Sequence, residues 1–261
     1  MRALRFSPLV VRRLVALSTA ALVLTTAGCA AEQTEHGPAT VATPSTSPTS
    51  SALSGPDGAE GEGAAYAAGT ADDTVGGGVI VTIGDSIMAG YGLDPDEAWP
   101  ALMADTTGRD VVNISCSGAG FVAVGDCDTD FAGLIGEAAA QHPSLIIVQS
   151  SDNDADEDAD DLDAATMDAV TALHDAAPDA RIVGLSTLWN PSWDAPDAIA
   201  WSSDALQAAV EAVGGRFVDI GQPLHDRADL LQWDEEHPNV AGQRELRTTV
   251  LSALAESDIT L

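Results

Sequence analysis

Two short stretches carry side chains of types that do chemistry together. The first, "IGDSIMAGYG", places Ser86 behind Gly84 and Asp85, just past an apolar run. A serine on a strand-to-helix turn exposes its hydroxyl and has backbone N–H groups beside it. The second, "WDEEHPNVAGQ", sets Asp234 and His237 three residues apart, just before a helix opened by Pro-Asn. A serine becomes a nucleophile when a base of near-neutral pKa takes its proton, and imidazole supplies such a base. The base needs an acceptor that fixes its tautomer and favours imidazolium, and Asp234 is spaced to be that acceptor. Each stretch alone has a plainer reading, a helix-capping serine and an exposed ion pair.

A third stretch, "QSSDNDADEDADDLD" at 149–163, is dense in carboxylates. It reads as a solvated face, a cation-binding loop or the edge of a site. Asp152, Asp154, Asp156, Asp158, Asp160 and Asp163 mimic a calcium loop, but Glu157 stands where that loop needs glycine and Asp163 where it needs glutamate. No His/Cys cluster has zinc spacing, so no metal or cofactor is expected. His225 neighbours Asp226, but adjacent helical residues point apart, which makes it a weaker base than His237. His142 reads as a helix-end cap and His174 as helix surface. Trp189, Trp193, Trp201 and Trp233 are either packing groups or an apolar, sugar-stacking wall.

These residues must be held by a scaffold, and the chain alternates short apolar runs with helix-like stretches. Strands are predicted at Val79–Ile83, Asp110–Ile114, Ser144–Gln149, Arg181–Leu185 and Arg216–Ile220, each short and rich in β-branched residues. Helices are predicted at Ala98–Thr106, Asp130–Gln141, Leu162–Ala176, Pro196–Val213 and Val240–Ala255. Continuous apolar strands separated by helices imply parallel strands covered on both faces. The fold class is therefore α/β, a three-layer α/β/α sandwich on a five-stranded parallel sheet. Ligands in such sheets sit beyond the carboxyl ends of the strands, which is where the chemistry-bearing residues fall.

Composition narrows the partners. The chain has 10 Lys+Arg against 41 Asp+Glu and a net charge of −31. Every cation is arginine, and Arg2, Arg5, Arg12 and Arg13 precede the first acidic residue. So acidic a surface repels phosphate backbones and anionic lipid, which excludes a nucleic-acid partner. Residues 1–29 read as a targeting segment: arginines, then the apolar run "LVALSTAALVLTTAGC" closed by small residues. "TAGC" resembles the bacterial lipobox, which implies lipidation of Cys29; cleavage by an ordinary signal peptidase is the alternative. The protein is thus expected to be exported, either anchored at the outer face of the cell membrane by an N-terminal lipid or secreted. Residues 30–78 are rich in Pro, Ser, Thr, Gly and Ala without apolar periodicity and read as a linker. One folded domain is expected over 79–261, and nothing in the sequence sets an oligomeric state. Cys116 and Cys127 remain as an even pair, which in an exported chain reads as a disulfide; two reduced thiols are the alternative.

Taken in order, the motifs resemble the GDSL, or SGNH, hydrolases, which are serine esterases, lipases and deacetylases on a flavodoxin-like sandwich. "GDSI" corresponds to the first block, with Ile87 in place of leucine, and "DEEHPNVAG" to the last. "VVNISCSG" fits the second block and "SDND", Ser151 to Asp154, the third. The resemblance runs from about Val79 to Ala255. It implies Ser86 as nucleophile, His237 as base and Asp234 as its partner. It further implies an oxyanion hole made of the N–H groups of Ser86 and Gly118 and the Asn153 side chain. The substrate is then a small-molecule or polysaccharide ester: an acetyl group on carbohydrate, or a short-chain lipid ester. One departure matters, because Ser151 stands where the family has glycine. Serine is comfortable there at negative φ and strained at positive φ. Asp152 beside it would oppose an oxyanion if it faced inward. A catalytically weakened binding or scaffold lipoprotein is therefore the rival reading.

Overall fold

The computed structural model describes residues 77–261. The expected targeting segment, the lipidation at Cys29 and the linker as far as residue 76 lie outside the described residues.

The strands are β1 (Ile80–Ile83), β2 (Val111–Asn113), β3 (Leu145–Gln149), β4 (Arg181–Leu185) and β5 (Arg216–Val218). The helices are α1 (Ser86–Ala89), α2 (Trp99–Thr107), α3 (Ile135–Ala140), α4 (Ala159–Ala176), α5 (Asp197–Ala212) and α6 (Val240–Glu256). All strand pairs are parallel, and the sheet order is β2-β1-β3-β4-β5. Ile80 stands opposite Val111 on one side and Leu145 on the other, Leu145 opposite Arg181, and Val183 opposite Arg216.

Every residue of β1 and β3 is buried, as uniformly apolar strands require when helices cover both faces. Alternate side chains divide between two cores. Val81, Ile83, Ile146, Val148 and Ile182 pack on one face with residues of α3, α4 and α5. Ile80, Leu145, Ile147, Val183 and Leu185 pack on the other against α2 and α6. Each such side chain contributes roughly 1.5–3 kcal/mol relative to exposure. The long helices bury one stripe each: Leu162, Thr166, Ala169, Val170 and Leu173 in α4, and Leu246, Val250 and Leu254 in α6.

Two elements differ from expectation. The predicted helix over 130–141 begins as a 3₁₀ turn, Phe131–Leu134, capped by the Asp130 side chain, and continues as the short α3. Gly133 and Gly136 weaken the helix there. α4 starts at Ala159, earlier than the apolar pattern suggests, because the Asp158 carboxylate accepts the Asp160 N–H at 3.0 Å and caps it.

From β1 the chain winds outward to β2 and then returns to β3 on the other side of β1. That reversal opens a crevice beyond the carboxyl ends of β1 and β3. The loops after β1, β2 and β3 all meet there.

Candidate active site

Ser86 is the first residue of α1, a single turn directly after β1. Asp85 caps it, its Oδ1 accepting the Ile87 N–H at 2.9 Å. Position one of a helix leaves the Ser86 N–H without an intrahelical acceptor. The hydroxyl belongs to a residue only 7% exposed.

His237 comes from the loop before α6. Its Nε2 lies 3.0 Å from Ser86 Oγ and its Nδ1 lies 2.9 Å from Asp234 Oδ2. The other Asp234 oxygen accepts the N–H groups of Glu236 and His237 at 3.1 and 3.0 Å. The carboxylate therefore shapes the loop and orients the ring together. Burial pushes the Asp234 carboxyl up, but the His237 N–H, the His237 ring and the Glu236 N–H hold it below the ordinary carboxylate range. The loop is anchored at both ends. Asn239 caps α6 by accepting the Ala241 and Gly242 N–H groups, and Gln232 donates to the carbonyls of Tyr91 and Pro238. Gln243, wholly buried in α6, accepts the Trp99 N–H and donates to the Ile87 carbonyl, both at 2.8 Å. It ties α6 to α2 and to the serine's own turn.

The loop after β2 is fastened to that turn by the Cys116 N–H, which donates to the Gly84 carbonyl at 2.9 Å. A Cys116–Cys127 disulfide closes it, with the Cα atoms 6.2 Å apart. Gly118 lies inside this ring at φ +78°, a conformation that favours glycine, and its N–H donates to no acceptor among the described residues. Asp154, 1% exposed, reaches into the same loop from the segment after β3. Its oxygens accept the N–H groups of Phe121, Val122 and Ala123 at 2.7, 3.1 and 2.9 Å. A Cβ on Gly120 would collide with that carboxylate, so glycine makes room for it.

Ser151 has φ −112° and ψ 146°, ordinary extended backbone, so serine replaces the family's glycine without strain. The Asn153 side-chain N–H₂ donates to Ser151 Oγ at 2.8 Å and to the Ala119 carbonyl at 3.3 Å. The three loops are thus cross-tied around one point: Cys116 to Gly84, Asn153 to Ala119, and Ser151 to Asp85.

The sequence-predicted residues Ser86, Asp234 and His237 converge, and the loops bearing Gly118 and Asn153 are bonded to the serine's turn or to each other. His225 does not join them; it lies in a turn after β5, while His142 follows the end of α3 and His174 lies in the last turn of α4. The acidic stretch divides. Asp154 binds the neighbouring loop, Asp158 caps α4, and the residues after it form the helix's first turns. Among the described residues no group of three His, Cys, Asp or Glu side chains is arranged to hold a metal.

Asp152 faces a cavity of about 320 Å³ that Asn153 and Asp234 also line, together with Glu236, Trp189 and Trp193. Burial, then the neighbouring Asp85 and Glu236 carboxylates, push the Asp152 carboxyl up to about 8. Trp189 and Trp193 meet edge to face, their ring centroids 5.9 Å apart, and Trp193 is 57% exposed. Trp201 and Trp233 are exposed as well, which removes them from the core.

The sequence of the GDSL-like Lipase/Acylhydrolase family matches this chain over residues 82–245. The chain belongs to that family. As a GDSL hydrolase it is a carboxylic ester hydrolase. Solved structures share its fold. TesA superposes with a TM-score of 0.56 at 22% identity, over 68% of this chain and 98% of its own. The psychrotrophic esterase EstA from Pseudoalteromonas sp., inhibited by monoethylphosphonate, gives 0.56 at 18%, over 69% and 97%. A catalytic mutant of Axe2, an acetylxylan esterase from Geobacillus stearothermophilus, gives 0.51 at 19%, over 68% and 94%. No curated protein matches in sequence.

Two residues of this GDSL hydrolase's site escape motif reading. Tyr91 lays its ring over His237, centroids 4.5 Å apart and tilted by 36°. Its only sequence signal is an aromatic in the turn after the serine. Asp85 is part of a quoted motif, but its tie to Ser151 joins residues 66 apart in sequence.

Proposed function

We propose that this GDSL hydrolase removes short acyl groups from hydroxyl-bearing carriers through an acyl-enzyme on Ser86. The observation that carries the reading is the Ser86–His237–Asp234 relay, with its successive separations of 3.0 and 2.9 Å. His237 Nε2 takes the Ser86 proton as Oγ attacks the ester carbonyl carbon. Asp234 holds the ring with Nδ1–H toward itself and stabilises the imidazolium. The carbonyl oxygen, now negative, takes hydrogen bonds from the Ser86 and Gly118 N–H groups and the Asn153 amide. Imidazolium then protonates the departing alkoxide, which leaves as the alcohol. Water, deprotonated by His237, attacks the acyl carbon and releases the carboxylic acid and free Ser86.

The cavity beside Asn153 suggests the carrier. Indole faces together with carboxylates suit a hydroxyl-rich alcohol such as a carbohydrate better than a long acyl chain. Short-chain lipid esters are the competing substrate. The unstrained backbone at Ser151 removes the main support for a weakened, non-catalytic protein. Purified Ser86→Ala should lose turnover of p-nitrophenyl acetate and labelling by a fluorophosphonate while keeping its unfolding midpoint. Wild-type turnover by that variant would end the assignment. A panel of acetylated oligosaccharides against esters of graded chain length separates the two carriers.

The N-terminal sequence supports a further proposal, that the enzyme is exported and held at the outer membrane face through Cys29. Metabolic labelling with palmitate should mark the wild type and not Cys29→Ala.

A further inference from the structure

The residue that departs from the family's third block is wired into the site. Ser151 is fully buried, and its hydroxyl makes three hydrogen bonds. It accepts from the Asn153 backbone N–H at 3.0 Å and from Asn153 Nδ2 at 2.8 Å. It donates to Asp85 Oδ2 at 2.7 Å. One donor and two acceptors exhaust a hydroxyl, so its orientation is fixed. Asp85 is 5% exposed and is itself fixed, since its other oxygen caps the serine's turn.

We infer that Ser151 is a positioning residue of the oxyanion hole, its hydroxyl holding the Asn153 amide in the plane from which that amide meets the substrate oxygen. The inference rests on the assignment of Asn153 to the oxyanion. Two bonds from one oxygen, to the backbone and side-chain nitrogens of the same asparagine, fix the rotation of the amide. One Nδ2 hydrogen is committed to Ser151. The other points to the Ala119 carbonyl across a longer 3.3 Å, in the loop that carries Gly118. A substrate oxygen arriving between Gly118 and Asn153 takes over that second hydrogen while Ser151 keeps the first. A glycine at 151 has no group to accept the first, so in this chain the hydroxyl supplies orientation to Asn153. The same hydroxyl reaches Asp85, and so couples the oxyanion donor to the turn that carries the nucleophile. Preorganised donors cost no reorientation as charge develops, which is the source of their catalytic effect.

The test is a double-mutant cycle on p-nitrophenyl acetate with Ser151→Ala, Ser151→Gly, Asn153→Ala and the Ser151→Ala/Asn153→Ala pair. Losing an oxyanion donor should lower kcat by about 10²–10³-fold in Asn153→Ala. Each Ser151 variant should lower kcat by about 10-fold and leave KM within about twofold, because the effect falls on the transition state. The pair should match Asn153→Ala alone, since a positioning residue has nothing left to position. Losses that multiply in the pair overturn the inference, because a purely structural role adds to any background. Wild-type kcat in either Ser151 variant overturns it too. Wild-type kcat in Asn153→Ala instead refutes the oxyanion assignment itself, whatever the Ser151 variants do.

Discussion

Replacing Asp154 by alanine removes the group that holds the Gly118 loop from outside. The carboxylate is buried and accepts three backbone N–H bonds, at 2.7, 3.1 and 2.9 Å. Bonds to a charged acceptor contribute about 1.5–3 kcal/mol each. The full sum is not lost, because the freed N–H groups regain water when the loop opens. A net loss of about 3–5 kcal/mol follows, in the range typical of broken buried networks. For a domain of this size each kcal/mol lowers the midpoint by roughly 2–4 °C, so Asp154→Ala should melt roughly 10 °C below wild type. The loop carries Gly118, so kcat should fall as well, with the fold otherwise kept. Circular dichroism melting and kcat on p-nitrophenyl acetate measure the two effects. A midpoint within about 2 °C of wild type, with kcat within about twofold, would refute the reasoning that this aspartate holds the Gly118 loop.

The Asp152 carboxyl, raised to about 8, is a neutral acid at neutral pH and becomes a charge in the cavity it shares with Asn153 and Asp234 as pH rises past about 8. Activity of the wild type should therefore decline above about pH 8 and that of Asp152→Asn should not; superimposable pH–rate profiles would refute this. Stability follows the same sign: the fold keeps a proton that the unfolded chain releases near 3.9, so stability falls between roughly pH 4 and 8 and levels off above, and Asp152→Asn should flatten that slope. Replacing both Cys116 and Cys127 by serine should cost roughly 2–3 kcal/mol by the chain-entropy model and lower kcat, read by melting and turnover. Tyr91→Ala uncovers one face of His237 and should lower kcat/KM several-fold with little change in midpoint, since Tyr91 is already 50% exposed.

The sheet was legible because β1 and β3 are buried on both faces and so read as unbroken apolar runs. The meeting of Ser86, Asp234 and His237 could be expected because hydroxyl, imidazole and carboxylate form a distinctive set of types, and two of them stand three residues apart in sequence. α1 was not, since one helical turn has no period to read. Ser151 showed only as a departure from a pattern. Its use depends on Asp85, which the fold, and not the chain, brings near. Asp154 was legible as the last residue of the third block, but its task was not, because the Phe121–Ala123 N–H groups it binds lie more than thirty residues away in sequence. Tyr91 carries no pattern at all; its meaning is the ring it covers.

The buried tie from Gln243 to the Ile87 carbonyl spans 156 residues of sequence. It imposes a timetable on the enzyme. A chain made from its N-terminus presents Ser86, Gly118 and Asn153 first, and the imidazole and this amide last. At about 5–20 residues per second the interval is roughly 8–30 s. Throughout it Ser86 lacks the His237 ring, and its turn lacks the prop that α6 supplies. The Ser86–His237 pair therefore forms only once the chain around the last helix has been made.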